Sequence, residues 1–259
     1  MLCELEDIKA LMSDKGLHIN HYKETILKRK IQSRMKMNKI DSCDEYTKFL
    51  YNNEDEITAL MRSFMINFTD FFRDNQTYDF FGNYILPAII QKRGKKSIRL
   101  WSIGCSTGEE PYSLAMLVKD ADEKIMASIV ATDIDRIAID AARLGEYEDR
   151  KIKNIKKQYL KFFDPVSDRY RVKKDIKAIV RFLHHDIFSE RLYGYFDVVF
   201  CRNLLIYLSK AAQIKVIKKI HNSLNKGGFL ILGKTEFLPK ELSDKFILTS
   251  LEERVYSKN

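Results

Sequence analysis

From Ser97 onward the chain alternates between strand-like and helix-like hydrophobic periods, and few folds accept that pattern. Ser97 to Ile103 reads as a strand, with Ile98, Leu100, Trp101 and Ile103 apolar. Pro111 to Val118 reads as a helix start, Ala127 to Asp133 as a second strand and Arg136 to Ala142 as a second helix. After a charged stretch, Ile179 to Leu183 and Phe196 to Cys201 are the third and fourth strands. Lys210 to Leu224 is a long amphipathic helix stopped by Asn225 to Gly228. Phe229 to Gly233 is a fifth strand, and Phe246 to Ser250 with Arg254 to Tyr256 can form a terminal hairpin. This alternation implies an α/β fold: a mostly parallel sheet with helices on both faces. Ligands of such sheets bind at the carboxyl ends of the strands, where strand order reverses.

The chain before this region is different. Glu4 to Lys15 and His21 to Met37 have helical spacing, with Gly16 a stop between them. Tyr46, Phe49 and Leu50 suggest a third helix, and Ile57, Leu60, Met61 and Phe64 a fourth. The expectation is a small all-helical domain over residues 1–82 and a sheet domain over 83–259.

Bulk properties narrow the class. The net charge of +9 suits an acidic partner, or simply a solvated lysine-rich surface. Cys3, Cys43, Cys105 and Cys201 lie far apart with no C-x-x-C pair, which argues against a zinc site or a disulfide framework. Free thiols would point to a reducing, cytoplasmic setting. Met1 to Gly16 does not read as a signal peptide, and no apolar run approaches the roughly 20 residues that cross a bilayer.

The most informative loop is Leu100-Trp101-Ser102-Ile103-Gly104-Cys105-Ser106-Thr107-Gly108-Glu109-Glu110-Pro111-Tyr112. A strand runs into two glycines and then into a helix with Pro111 near its first turn, where a missing N–H costs nothing. The spacing is G-x-x-x-G, without the third glycine of a dinucleotide site or the lysine of a phosphate loop. Glu109 and Glu110 disfavour a phosphate and favour a cationic ligand group. A bare strand–helix turn is the plainer alternative. Asp133 ends the second strand, where an acid can accept from both ribose hydroxyls of an adenosine. Asp133 or Asp135 can instead cap the next helix. Asp186, after the third strand, can read an adenine amino group. His184 and His185 diverge as neighbours and make a poor metal pair, so no metal is expected. Arg202, Asn203 and Tyr207 follow the fourth strand. In Asn67-Phe68-Thr69-Asp70-Phe71-Phe72-Arg73-Asp74, aromatic anchors leave Asn67, Thr69 and Arg73 as directed polar groups. A helix start capped by Asn67 or Thr69 is the alternative.

Three strings, Asn-x-Thr-x-Phe-Phe-Arg, Ser-Thr-Gly-Glu-Glu-Pro-Tyr and Cys-Arg-Asn-x-x-Ile-Tyr, occur here in order. With Tyr22-Lys23 and the basic helix after them, they resemble the CheR-type chemotaxis receptor methyltransferases over nearly the whole chain. The resemblance implies a Rossmann-like class I methyltransferase sheet, a small helical N-terminal domain and a small β-subdomain insertion, here near Lys161 to Arg181. It implies methyl transfer from S-adenosyl-L-methionine to receptor glutamates, leaving S-adenosyl-L-homocysteine. It maps cofactor contacts onto Asn67, Thr69, Arg73, Gly104, Glu109 (or Glu110), Asp133, Asp186, Ile187, Arg202 and Asn203. Arg73 and Tyr207 map as the active-site pair. Position 186 is Asp where many relatives carry Asn, which keeps an acceptor.

The implied partner is the cytoplasmic helices of a methyl-accepting receptor. Lys23, Lys28, Arg29, Lys30, Arg34, Lys36 and Lys39 against the single acid Glu24 give residues 21–40 a basic character that can dock an acidic helix. The expectation is a cytoplasmic monomer with neither nucleic-acid binding nor membrane insertion. Two rivals are a nucleic-acid methyltransferase, which the charge favours but which lacks an Asn-Pro-Pro-Tyr or Asp-Pro-Pro-Tyr string, and a non-catalytic cofactor-binding signalling module, which need not keep Arg73 and Tyr207.

Overall fold

The computed structural model describes residues 5–65, 68–93, 97–153, 155–188 and 194–259. The chain forms two compact units, Met1–Ile66 with Tyr207–Gln213, and Asn67–Ile206 with Ile214–Asn259.

The first unit holds α1 (Leu5–Asp14), α2 (Glu24–Met37), α3 (Cys43–Tyr51) and α4 (Glu54–Phe64). Each buries one stripe: Leu5, Ile8, Leu11 and Met12 on α1, Leu27, Ile31 and Met35 on α2, Ile57, Leu60 and Phe64 on α4. Gly16 ends the first with φ of 83°, a conformation that costs glycine nothing. Ser42 and Asn53 cap α3 and α4 through their side-chain oxygens. Tyr207–Gln213 joins this unit through two hydrogen bonds, Lys23 N–H to the Tyr207 carbonyl (2.9 Å) and Ser209 N–H to the His21 carbonyl (2.8 Å).

One buried acid ties three of these helices. Glu56, 5% exposed, accepts two bonds from the Arg34 guanidinium (3.0 and 2.5 Å) and one from the Tyr46 hydroxyl (2.7 Å). Arg34 is therefore not a free docking charge. Cys105 and Cys201 are free and buried.

The second unit opens with α5 (Asn75–Phe80), a π-helical turn (Phe81–Ile85) and α6 (Leu86–Arg93), a continuous helical stretch that the sequence patterns did not suggest. Pro87, with no N–H to give, lies just past the turn whose closing bond runs from Leu86 N–H to the Phe81 carbonyl. Then follow β1 (Ile98–Ile103), α7 (Glu109–Ala121), β2 (Ala127–Asp133) and α8 (Arg136–Leu144). The insertion contains β3 (Glu146–Glu148), α9 (Asp149–Ile152), α10 (Lys157–Leu160), β4 (Phe163–Val166), β5 (Arg169–Val172) and α11 (Lys174–Lys177). β6 (Val180–His184), β7 (Phe196–Cys201), α12 (Lys210–Ser223), β8 (Leu224–Leu232), β9 (Phe246–Ser250) and β10 (Val255–Lys258) complete the chain.

The main sheet has order β6-β2-β1-β7-β8-β10-β9. β6, β2, β1, β7 and β8 run parallel, and β10 is antiparallel to both its neighbours. β7 is buried along its whole length, as a strand covered on both faces must be. Parallel strands bring Gly104, Asp133, Asp186 and Arg202 to one crest, and the order reverses between β1 and β7. The expected small β-subdomain is a separate antiparallel sheet, β3-β5-β4, whose first strand begins well before Lys161. Residues 68–82, assigned to the helices from sequence, pack on the sheet unit through Phe71 against Tyr147 and Phe163, and Phe81 against Phe200.

Glu56 allows a test of the helical unit. Burial pushes its pKa up, but Arg34, Tyr46 and Asn38 outweigh burial and hold it below the ordinary carboxylate value. A depressed carboxylate contributes stability above its unfolded pKa and loses it as pH falls through the folded one. Protection factors of the α2 and α4 amides should therefore fall in that acid range. Glu56→Ala should cost about 3 kcal/mol at neutral pH, read as lower protection factors of the same amides, because it strands Arg34; wild-type protection in the variant would refute this.

Candidate active site

The loop after β1 uses its two glycines differently. Gly108 has φ of 94°, and a Cβ there would meet Ala142 Cβ at 2.9 Å and the Tyr147 hydroxyl at 3.1 Å. It permits close packing of loop, α8 and β3. Gly104 has φ of 70° and nothing within 4 Å of such a Cβ, so its face is open to an approaching ligand. The loop is pinned to β2: Gly104 and Cys105 N–H donate to the Thr132 carbonyl (2.8 and 3.0 Å), and Ser106 N–H donates to Asp133 Oδ2 (2.7 Å). Asp133 Oδ1 accepts from Asp135 N–H (2.9 Å), and burial raises the Asp133 pKa. Asp135 caps α8, accepting from Ile137 and Ala138 N–H, which leaves Asp133 as the acid on the crest.

Helix α7 begins with two acids. Glu109 is 1% exposed; it accepts from the Thr107 hydroxyl at 2.7 Å and pairs with Lys151 at 3.2 Å. Glu110 accepts from the Ser102 hydroxyl (2.8 Å) and from Arg202 (3.3 Å). Burial raises the pKa of both, against the pull of these partners. A buried carboxylate needs such partners, because desolvation costs several kcal/mol per ion.

Arg202, expected as a cofactor contact, is a buried hub. Its guanidinium donates to Asp74 (2.5 Å), the Arg73 carbonyl (2.9 Å), Glu110 (3.3 Å) and the Tyr78 hydroxyl (3.5 Å), and lies over the Tyr78 ring. Its Nε is buried without a partner.

Of the two forms that the sequence suggested, Phe71 and Phe72 are buried as the aromatic anchors of the first, and the next helix, α5, starts only at Asn75. Asn67 itself lies outside the described residues. Phe72 and Asp74 adopt φ of 52° and 60°, uncommon for residues with a Cβ and costing about 1–3 kcal/mol each. The turn persists because its neighbours fix it. Phe72 N–H donates to Ser113 Oγ (2.9 Å), and Phe72 stacks on Tyr159. Lys151 donates to the Thr69 carbonyl and to Asp70. Arg73 is half-buried, donates to the Phe68 carbonyl (3.0 Å) and sits over the Phe68 ring.

Asp186 accepts from Phe188 N–H (2.8 Å), and Lys219 donates to the carbonyls of Ile187 (2.6 Å) and Phe188 (3.0 Å). Asn203, with φ of 59°, donates its N–H to Glu236 (2.8 Å). Glu236, 2% exposed, also accepts from Gly233 and Ile206 N–H and so shapes the turn after β7. Tyr207 belongs to the helical unit. The sequence reading missed Lys151, Ser113, Lys219 and Glu236. None lies in a recognisable string; only Glu236, an acid shortly after a strand end, offered a local hint.

The two glycines make separable predictions. Gly108→Ala should lower stability by roughly 2 kcal/mol through overpacking and strain, read by thermal denaturation. Gly104→Ala should cost only about 1 kcal/mol of stability yet abolish calorimetric binding of S-adenosyl-L-homocysteine, since the added methyl occupies the open face. Unchanged affinity in Gly104→Ala would place the ligand elsewhere.

Residues 4–65 match the family model described as CheR methyltransferase, all-alpha domain, and residues 67–255 match CheR methyltransferase, SAM binding domain. A chemotaxis protein methyltransferase of Listeria monocytogenes is 32% identical over 88% of this chain and 87% of its own. One of Borreliella burgdorferi is 29% identical over 97% and 92%. An uncharacterised 104.1 kDa protein of Rhodobacter capsulatus is 30% identical over 91% of this chain, which spans 25% of that protein. Family models cover both units. The chain belongs to the CheR methyltransferase family and is an S-adenosylmethionine-dependent methyltransferase.

Proposed function

We propose that this chain methylates glutamate side chains on the cytoplasmic helices of chemotaxis receptors, forming methyl esters. The observation that carries the proposal is the open face of Gly104 beside the acid Asp133 on one crest, in a chain whose full-length relatives bear the chemotaxis methyltransferase name. The crest fits the donor. No lysine follows the glycine loop, which suits a ligand without phosphate. S-adenosylmethionine supplies a methyl group on a sulfonium, ready for displacement.

The chain's own residues then have four tasks. Asp133 accepts from the ribose hydroxyls with the lone pairs its backbone donors leave. Asp186 and Ile187 receive the adenine side. Thr69, Arg73, Gly104 and Asn203 line the rest, with Asn67 before them. Glu109 and Arg202 act from behind, holding the surfaces that touch the donor. Arg73 attracts the anionic glutamate, and Tyr207 hydrogen-bonds its carboxylate. A glutamate has a pKa near about 4.3 and arrives ionised, so no general base is required. Its weakness is hydration, and the site's work is to strip water and align the oxygen.

Exposed Arg29, Lys36 and Lys39 of the basic segment offer a docking face for an acidic receptor helix. Among the described residues no helix is long and apolar enough to cross a membrane. A monomer meeting its receptor in the cytoplasm completes the proposal.

The test is methyl transfer from labelled donor to a purified receptor fragment, followed by mild alkali, which releases esters but not methylated bases. Tyr207→Phe should lower the rate about tenfold and Arg73→Ala about a hundredfold, as expected for groups that orient and attract the reacting anion. Alkali-stable label, or label only on RNA or DNA, would defeat the proposal. Reversing Arg29, Lys36 and Lys39 together should slow methylation most at low salt; no change would remove the docking role.

A further inference from the structure

Lys151 lies outside every string that marks the family, yet its ammonium is saturated. Lysine has three N–H donors. Here they meet three acceptors from two segments: Glu109 Oε1 at 3.2 Å, Asp70 Oδ1 at 2.8 Å and the Thr69 carbonyl. The side chain is 27% exposed, whereas that of Glu109 is 1% exposed. An exposed lysine usually trades partners with water; this one has a fixed set.

The geometry also limits Glu109. One of its oxygens accepts from Thr107 and the other pairs with Lys151, and almost none of its surface is open. A donor's ammonium could reach that carboxylate only by displacing Lys151. The turn beyond Lys151 needs restraint, since Phe72 and Asp74 carry positive φ. Ser113 holds it at Phe72, and Arg202 at Arg73 and Asp74. Lys151 is the tie at its start.

We propose that Lys151 is a positioning residue for donor binding: paired with buried Glu109, it clamps the Thr69–Asp70 turn onto α7, and Glu109 acts through Lys151 rather than on the donor. This rests on the reading of Thr69 and Arg73 as donor contacts. The tie also recruits the insertion, because Lys151 comes from α9 and its neighbour Tyr147 on β3 donates to the Thr107 carbonyl at 2.6 Å. The β-subdomain is thereby fastened to the glycine loop and to the turn at once.

Two measurements on the full chain test this. Hydrogen exchange of the 68–74 peptide in the unliganded protein should accelerate about tenfold in both Lys151→Met and Glu109→Gln, the scale of one lost charge-assisted bond. Glu109→Gln is nearly isosteric and serves if Lys151→Met folds poorly. Calorimetry with S-adenosyl-L-homocysteine should show about tenfold weaker binding in each, and no further loss in the double variant, because both remove one tie. Unchanged exchange at 68–74 in both variants overturns the proposal. So do losses of affinity that add in the double variant, which would mark Glu109 as a direct contact. If the wild type binds no S-adenosyl-L-homocysteine, the donor reading fails; the exchange result still decides whether the tie exists.

Discussion

Two adjacent carboxylates at the start of α7, both withdrawn from water, set the arrangement of the sheet unit. Burying an anion is tolerable only where cations and donors surround it. Glu109 takes Lys151 from the insertion and the Thr107 hydroxyl; Glu110 takes Arg202 from the end of β7 and Ser102 from β1. Each cation then extends outward to the same turn, Lys151 at Thr69–Asp70 and Arg202 at Arg73–Asp74. A turn with two strained residues is stabilised by charges that the helix already demands. The energetics of burial and the geometry of the crest are one problem with one solution.

That arrangement explains why some features were legible and others were not. Strands β1, β2 and β7 fall at the expected positions because their signal is local: apolar runs closed by Gly104, Asp133 and Arg202. The Asp135 cap was one of two possibilities, and the bonds its Oδ1 accepts from Ile137 and Ala138 N–H decide between them. The stretch Asn75–Arg93 hid behind Gly82 and Pro87, which ordinarily break helices and here flank or lie within a π-helical turn. Phe72 at positive φ could not be anticipated, since sequence rules reserve that region for glycine and asparagine. Lys151 was invisible for a different reason: its partners lie far away in sequence, on the Thr69–Asp70 turn and on α7, and nothing in a lysine-rich chain marks one lysine as tied to both.

Arg202 has work within the fold that its motif does not announce. The string Cys201-Arg202-Asn203 marks the end of β7, and the crest does hold it there. Its guanidinium nevertheless turns inward to Asp74, Glu110 and Tyr78, at 5% exposure. A residue can belong to a binding signature because it shapes the residues that bind. Glu236 follows the same logic on the other side, gathering the N–H groups of Gly233, Asn203 and Ile206.

The division between buried organisers and open contacts has a chemical rationale. Esterifying a carboxylate neutralises a cation and an anion together, and a low-dielectric site favours that change. Charges left loose near the reacting atoms would either pair with the glutamate or hold water beside it. Here Glu109, Glu110, Arg202 and Lys151 are each bound to fixed partners within the chain, so they organise the crest without competing for the substrate. Arg73 differs: its guanidinium engages only a backbone carbonyl and an exposed ring in the contacts described. On the proposed reading, the contrast between an arginine enclosed by acids and one that meets none among the described contacts is what would let a strongly charged site act on a charged substrate.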